Sequence, residues 1–144
     1  KRYMFCTVFP NYNGDELWIY KEMENGLFCK HKKICFDGDK IARMAGDFFK
    51  YKGNIYRAAQ NCNNRYGGGL VLQKVSFVDD EWRFENVAKF FSPSSKMKNG
   101  FHTFNVFGDV IVVDARGFWH PIVGPILCWI RNFFRRKNDK VQSK

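Results

Sequence analysis

Eight side chains spread through the middle of this sequence could do recognition chemistry: Arg43, Asp47, Arg57, Gln60, Asn61, Tyr66, His102 and Asn105. Sugars present hydroxyls that donate and accept in a fixed geometry, and amide and guanidinium groups match such patterns two bonds at a time. Tyr66 adds a flat face for the apolar side of a pyranose ring. The set is therefore a candidate substrate-binding constellation for a sugar or glycan. A competing reading is that Arg57 and Gln60 bind backbone and tie neighbouring elements together. Asp47 is the one weak candidate for catalysis.

These side chains must be positioned by strands. Aromatic residues make up 18 % of the chain, with sixteen Phe, six Tyr and four Trp, and short segments are separated by Gly- and Asn-marked turns, which favours an all-β fold. Strands are predicted at Tyr3 to Phe9, Glu16 to Lys21 and Phe28 to Phe36. Gly46 to Tyr51, a Lys52-Gly53-Asn54 turn and Ile55 to Gln60 read as a hairpin, followed by strands at Leu70 to Val75 and Trp82 to Phe91. A second hairpin, Phe101 to Phe107 and Val110 to Asp114 around a Gly108-Asp109 turn, repeats the first.

Other motifs exclude more than they suggest. Gly67-Gly68-Gly69 lacks a following Lys-Ser/Thr and opens onto a strand, so phosphate-loop and dinucleotide patterns fail. Cys29, His31 and Cys35 cluster without a fourth ligand at zinc-like spacing, and no metal or cofactor is expected. Five cysteines without a C-x-x-C pair fit reduced thiols and a cytoplasmic setting. No apolar run is long enough to span a bilayer. The chain begins with Lys1, which suggests a fragment or a processed product.

The net charge is +10, and half of that excess lies in the last fourteen residues, where six basic residues face Asp139 alone. Within Pro125 to Lys137, Ile126, Trp129, Ile130, Phe133 and Phe134 share one helical face, with Arg131, Arg135, Arg136 and Lys137 elsewhere or beyond. Such a helix can lie on an anionic membrane through residues 126–137, which would make the protein membrane-peripheral; it can equally pack on the domain. The tail aromatics follow a helical stripe instead of interleaving with basic residues on strands, so nucleic acid is not an expected partner. The chain thus divides into residues 1–120, a β domain, and 121–144, an amphipathic basic C-terminal helix and tail.

Residues 46 to 91 read as strand, tight turn, strand, Gly-rich connection, strand, turn, strand, the grammar of a propeller blade; a sandwich of about seven or eight strands fits the pattern as well. Residues 3 to 36 then look like the later strands of a preceding blade. The runs Ala42-Arg43-Met44-Ala45-Gly46, Gly53 to Cys62 and Tyr66-Gly67-Gly68, with Gly100 to Asn105 and Val112 to Arg116, are more specific. They resemble the N-terminal β-propeller domain of glucosamine inositolphosphorylceramide transferases and related bacterial polysaccharide-biosynthesis proteins, over roughly residues 15 to 120.

The resemblance implies part of a five-bladed propeller of a glycosidase-like clan, completed by upstream blades or another domain. It implies a carbohydrate-binding or glycan-processing module of polysaccharide or glycolipid biosynthesis, with Arg43, Asp47, His102 and Asn105 near the innermost strands. A fragment of a propeller glycoside hydrolase is the alternative. Hydrolysis needs paired carboxyl groups, whereas Glu16, Glu81 and Glu85 fall on outer strands or turns and Asp114 reads as a turn former, so this chain alone disfavours it. A basic nucleic-acid-binding or membrane-surface protein is the remaining alternative.

Overall fold

The structure is a computed structural model that describes residues 2–92, 94, 96–120 and 122–131. Among the described residues the apolar and aromatic segments form nine strands: β1 (Tyr3–Cys6), β2 (Glu16–Glu22), β3 (Phe28–Cys35), β4 (Phe49–Tyr51), β5 (Asn54–Asn61), β6 (Gly69–Val78), β7 (Glu81–Phe90), β8 (Phe104–Phe107) and β9 (Val110–Val113). They make three antiparallel sheets in chain order, β1-β2-β3, β4-β5-β6-β7 and β8-β9. The all-β expectation therefore holds, and residues 49–90 are one four-stranded meander, not strands split between stacked sheets.

Turn chemistry sets the hairpins. Lys52 and Gly53 have φ of 45° and 77°, the two left-handed positions of a type I′ turn whose twist matches the flanking strands. Asp79 and Asp80, at 54° and 62°, make the corresponding turn between β6 and β7. The middle sheet starts at Phe49 instead of Gly46, because the chain leaves the ladder there. A Cβ on Gly46 would strike the Phe104 carbonyl, so only glycine lets residues 45–47 pass so close to β8. Upstream, Met44 bridges Ala59 and rejoins the edge of β5.

Both faces of the middle sheet are covered, which explains why Arg57 to Gln60 are all buried. On one face, Ala58 and Leu70 pack with Ala45 and Phe101, and Phe104 and Ala115 close over them. Phe49 meets Phe104 at 5.7 Å between ring centroids, joining the middle sheet to the β8-β9 hairpin. On the other face, Ala59 and Val71 pack with Ile41 and Phe36. Tyr3 and Phe5 of β1 set their rings against Trp82 of β7 at 5.3 and 5.0 Å. The middle sheet is thus sandwiched between the other two.

Arg57 lies inside this second interface, fully buried, where the backbone-tying reading put it. Its Nε donates to Gln73 Oε1 at 2.7 Å, and its terminal nitrogens donate to the carbonyls of Ala42 at 3.1 Å and Ile41 at 3.0 Å. Met44 Sδ lies 3.2 Å away. Phe36 and Phe84 hold the guanidinium between their rings at 5.2 and 4.8 Å. Gln73 in turn donates to Asn86 Oδ1 at 2.7 Å, so Arg57, Gln73 and Asn86 form a polar row across β5, β6 and β7. Loss of solvent lowers the Arg57 pKa to about 9, which leaves it charged at neutral pH.

Within the described residues a helix, α1, covers 123–131, starting two residues before Pro125. Proline is tolerated there because a first-turn N–H has no partner within the helix. Phe133, Phe134, Arg135, Arg136 and Lys137 lie outside the described residues. Among the described residues no helix is long and apolar enough to cross a membrane.

Replacing Arg57 by Ala strands two buried carbonyls and the Gln73 amide. Urea denaturation should show a loss of about 3–5 kcal/mol. Arg57→Lys, which keeps the charge but not the planar fork, should recover only part of it. A wild-type midpoint for Arg57→Ala would mean that residues 41–44 are held by other contacts.

Candidate functional site

Three of the eight sequence-predicted residues come together at one end of the sheets. Arg43 leads towards β4, Tyr66 lies in the β5–β6 loop, and His102 precedes β8. The fold adds Tyr12 from the β1–β2 loop and Asp114 just after β9. Five connections from three sheets therefore deliver one side chain each to a single row.

The row is built by stacking. Tyr66 and His102 rings lie 5.0 Å apart, tilted by 35°. The Arg43 guanidinium sits 5.3 Å from the Tyr66 ring and 5.9 Å from that of Tyr12. Its hydrogen bonds are long, 3.3 Å to Asn13 Oδ1 and 3.5 Å to the Tyr12 carbonyl, and no carboxylate pairs with it among the described residues. Tyr12 and Tyr66 are each about half exposed. An arginine held between two open tyrosine rings, with N–H groups to spare, is equipped to bind hydroxyls or an anionic substituent beside a flat apolar face.

His102 supports this row from behind. Gly67 has a φ of 59° and lies so close that a Cβ would strike the imidazole, and Gly100 closes the opposite side. Gln60 Nε2 donates to the His102 carbonyl at 3.0 Å, and the Phe101 N–H donates to the Gly67 carbonyl at 2.8 Å. Asp114 accepts from the N–H groups of His102 and Thr103 at 2.8 and 2.7 Å and lies 3.3 Å from His102 Nδ1. Partial desolvation pushes the Asp114 carboxyl up, but those two backbone donors together with His102 outweigh it, and its pKa falls below the ordinary value of 3.8. His102 and Gln60 therefore position Tyr66; the wedged imidazole has little access to a ligand.

The remaining predicted residues lie elsewhere. Arg57 is the core residue described above. Asn105 accepts from the Asp47 N–H at 3.3 Å and ties down that turn. Asp47 is exposed at a cavity of about 220 Å³ lined by Tyr3, Phe5, Met44, Gly46 and Phe48, and is the one carboxylate among its lining residues. Asn61 holds the turn through Asn63, whose backbone and side-chain nitrogens donate to Asn61 Oδ1 at 3.2 and 3.0 Å. It also lines a cleft of about 570 Å³ with Arg65, Lys89 and Phe91. Sequence reasoning missed Tyr12 and Asn13 and read Asp114 as a turn former. The signal for Asp114 was its place one residue past an apolar strand, a position that here caps the start of the same hairpin. Among the described residues no group of three or more His, Cys, Asp or Glu side chains is arranged to hold a metal.

No family model and no solved structure matches the chain. Among curated proteins it is similar to glucosamine inositolphosphorylceramide transferase 1 of Arabidopsis thaliana, with 32 % identity over 95 residues. The matched stretch is 62 % of this chain and spans 12 % of that protein. The similarity is distant and partial.

The Asp114 contacts carry a pH signature. A carboxylate whose pKa falls on folding stabilises the fold above its unfolded value and loses that contribution as pH drops through the lowered one. Because Asp114 is half exposed and screened by solvent, Asp114→Ala should cost only about 0.5–1 kcal/mol at neutral pH, with the gap from wild type closing in acid below the ordinary carboxylate range. Urea denaturation at both pH values checks this, and a gap of equal size in acid would contradict it.

Proposed function

We propose that this chain is a carbohydrate-binding module of glycan or glycolipid biosynthesis, and that its three sheets are successive blades of a propeller. The observation that carries the binding role is Arg43 lodged between the half-exposed rings of Tyr12 and Tyr66, without an acidic partner among the described residues. Tyrosine supplies the stacking face, and the open guanidinium supplies donors for hydroxyls or an acidic group. The relative's name, with its glucosamine and its inositolphosphorylceramide, supports sugars and sugar phosphates as the ligand class.

The propeller reading draws support from the four-stranded meander of residues 49–90, covered on both faces by further sheets. A repeated hairpin that begins the third sheet adds to it. Binding is favoured over hydrolysis by these residues, because Asp47 stands apart from the Arg43–Tyr66 row and glycoside hydrolysis calls for two carboxyl groups across one bond.

NMR titration of the chain with glucosamine, inositol phosphate and a panel of neutral monosaccharides tests the role. At least one of these ligands should shift the resonances of Arg43 and Tyr66, and Tyr66→Ala should weaken binding about tenfold without lowering the melting temperature. The reading fails if nothing in the panel perturbs these residues, or if Tyr66→Ala binds like the wild type.

A further inference from the structure

Helix α1 leaves its apolar side chains exposed to solvent. At 3.6 residues per turn, Val123, Ile126, Leu127, Trp129 and Ile130 share an arc of roughly 160°, and all five are exposed, Trp129 to 67 %. The opposite side carries Gly124 and Cys128, the least exposed positions of the helix. Gly124 lies against Phe118, whose ring occupies the space that a Cβ would need. Gly124 meets Phe118, and Val123 and Leu127 line an open groove with Arg116, Phe118, Trp119 and His120, while all five side chains of the arc keep more than a third of their surface in solvent. Trp119, exposed to 93 %, and Ile122, to 79 %, extend the apolar surface upstream. A continuous apolar patch of this kind marks an interaction surface.

Charge identifies the partner. Lys96 shares a cavity with Trp119 at one side of the patch, and Arg131 closes the described part of the helix. Beyond it the sequence carries Arg135, Arg136, Lys137, Lys140 and Lys144 against Asp139. An uncharged apolar protein groove would call for the arc but not for the cations. An anionic bilayer calls for both, since aliphatic and indole side chains enter the headgroup boundary while Lys and Arg meet lipid phosphates. We infer that α1 and Trp119 dock this protein on an anionic membrane surface, with the helix lying in the plane of the interface. This surface is built from residues separate from the Arg43–Tyr66 row, so it stands or falls independently of sugar binding.

The test is sedimentation of the full chain with vesicles of phosphatidylcholine alone and of phosphatidylcholine mixed with phosphatidylglycerol. The protein should pellet with the mixed vesicles and stay in solution with the neutral ones, its tryptophan emission should shift to the blue on binding, and high salt should release it. Trp119→Ser, Ile126→Ser and Ile130→Ser combined should lower partitioning about tenfold with an unchanged melting temperature, because all three side chains are exposed. The inference is overturned if the wild type ignores the mixed vesicles or if the triple variant binds them as well. It is also overturned if light scattering shows the arc buried in a dimer that the triple variant dissolves and that vesicles do not.

Discussion

A single guanidinium organises the interface between the first two sheets. Arg57 is a buried cation that pairs with no carboxylate among the described residues, and its charge is met by two backbone carbonyls, one amide oxygen and the faces of two phenylalanines. An unpaired buried charge would be prohibitively costly without such partners. The carbonyls of Ile41 and Ala42 belong to the segment that crosses from the first sheet to the second. Whatever holds Arg57 in place therefore also holds that crossing, and with it Arg43 and the edge contact between Met44 and Ala59.

From that anchored segment the site follows. Gln60 N–H donates to the Arg43 carbonyl at 2.8 Å, and Ala45 accepts from the Phe104 N–H at 2.9 Å. Residues 43–45 are thus pinned to the middle sheet on one side and to the β8-β9 hairpin on the other. With Asp114 clamping His102 and Thr103, the tyrosine–arginine row stands on a backbone fixed from several directions. Loops can carry recognition residues only when a scaffold fixes them in this way.

Helix α1 follows the opposite logic. Strands β5 and β6 bury apolar side chains between the sheets, whereas Val110 to Val113 of β9 and the apolar arc of α1 are exposed.

Much of this was legible in the residues. Period-two patterning and Gly, Asn and Asp turns specify strands because alternate side chains face opposite ways and only certain residues adopt left-handed turns. The meander over residues 49–90 and the twin hairpin at residues 104–113 were visible from that alone, as was the amphipathic stripe from Ile126. Tertiary structure decided which polar residues work inside and which outside. Arg57 and Arg43 are the same residue type fourteen positions apart, yet one is sealed between Phe36 and Phe84 while the other is left between two half-exposed tyrosines. Strand alternation assigns a side chain to a face, but not what covers that face. Cover comes from Phe36, Ile41 and Tyr12, brought in by sheet-on-sheet packing and by a loop distant in sequence, and no local pattern encodes that contact.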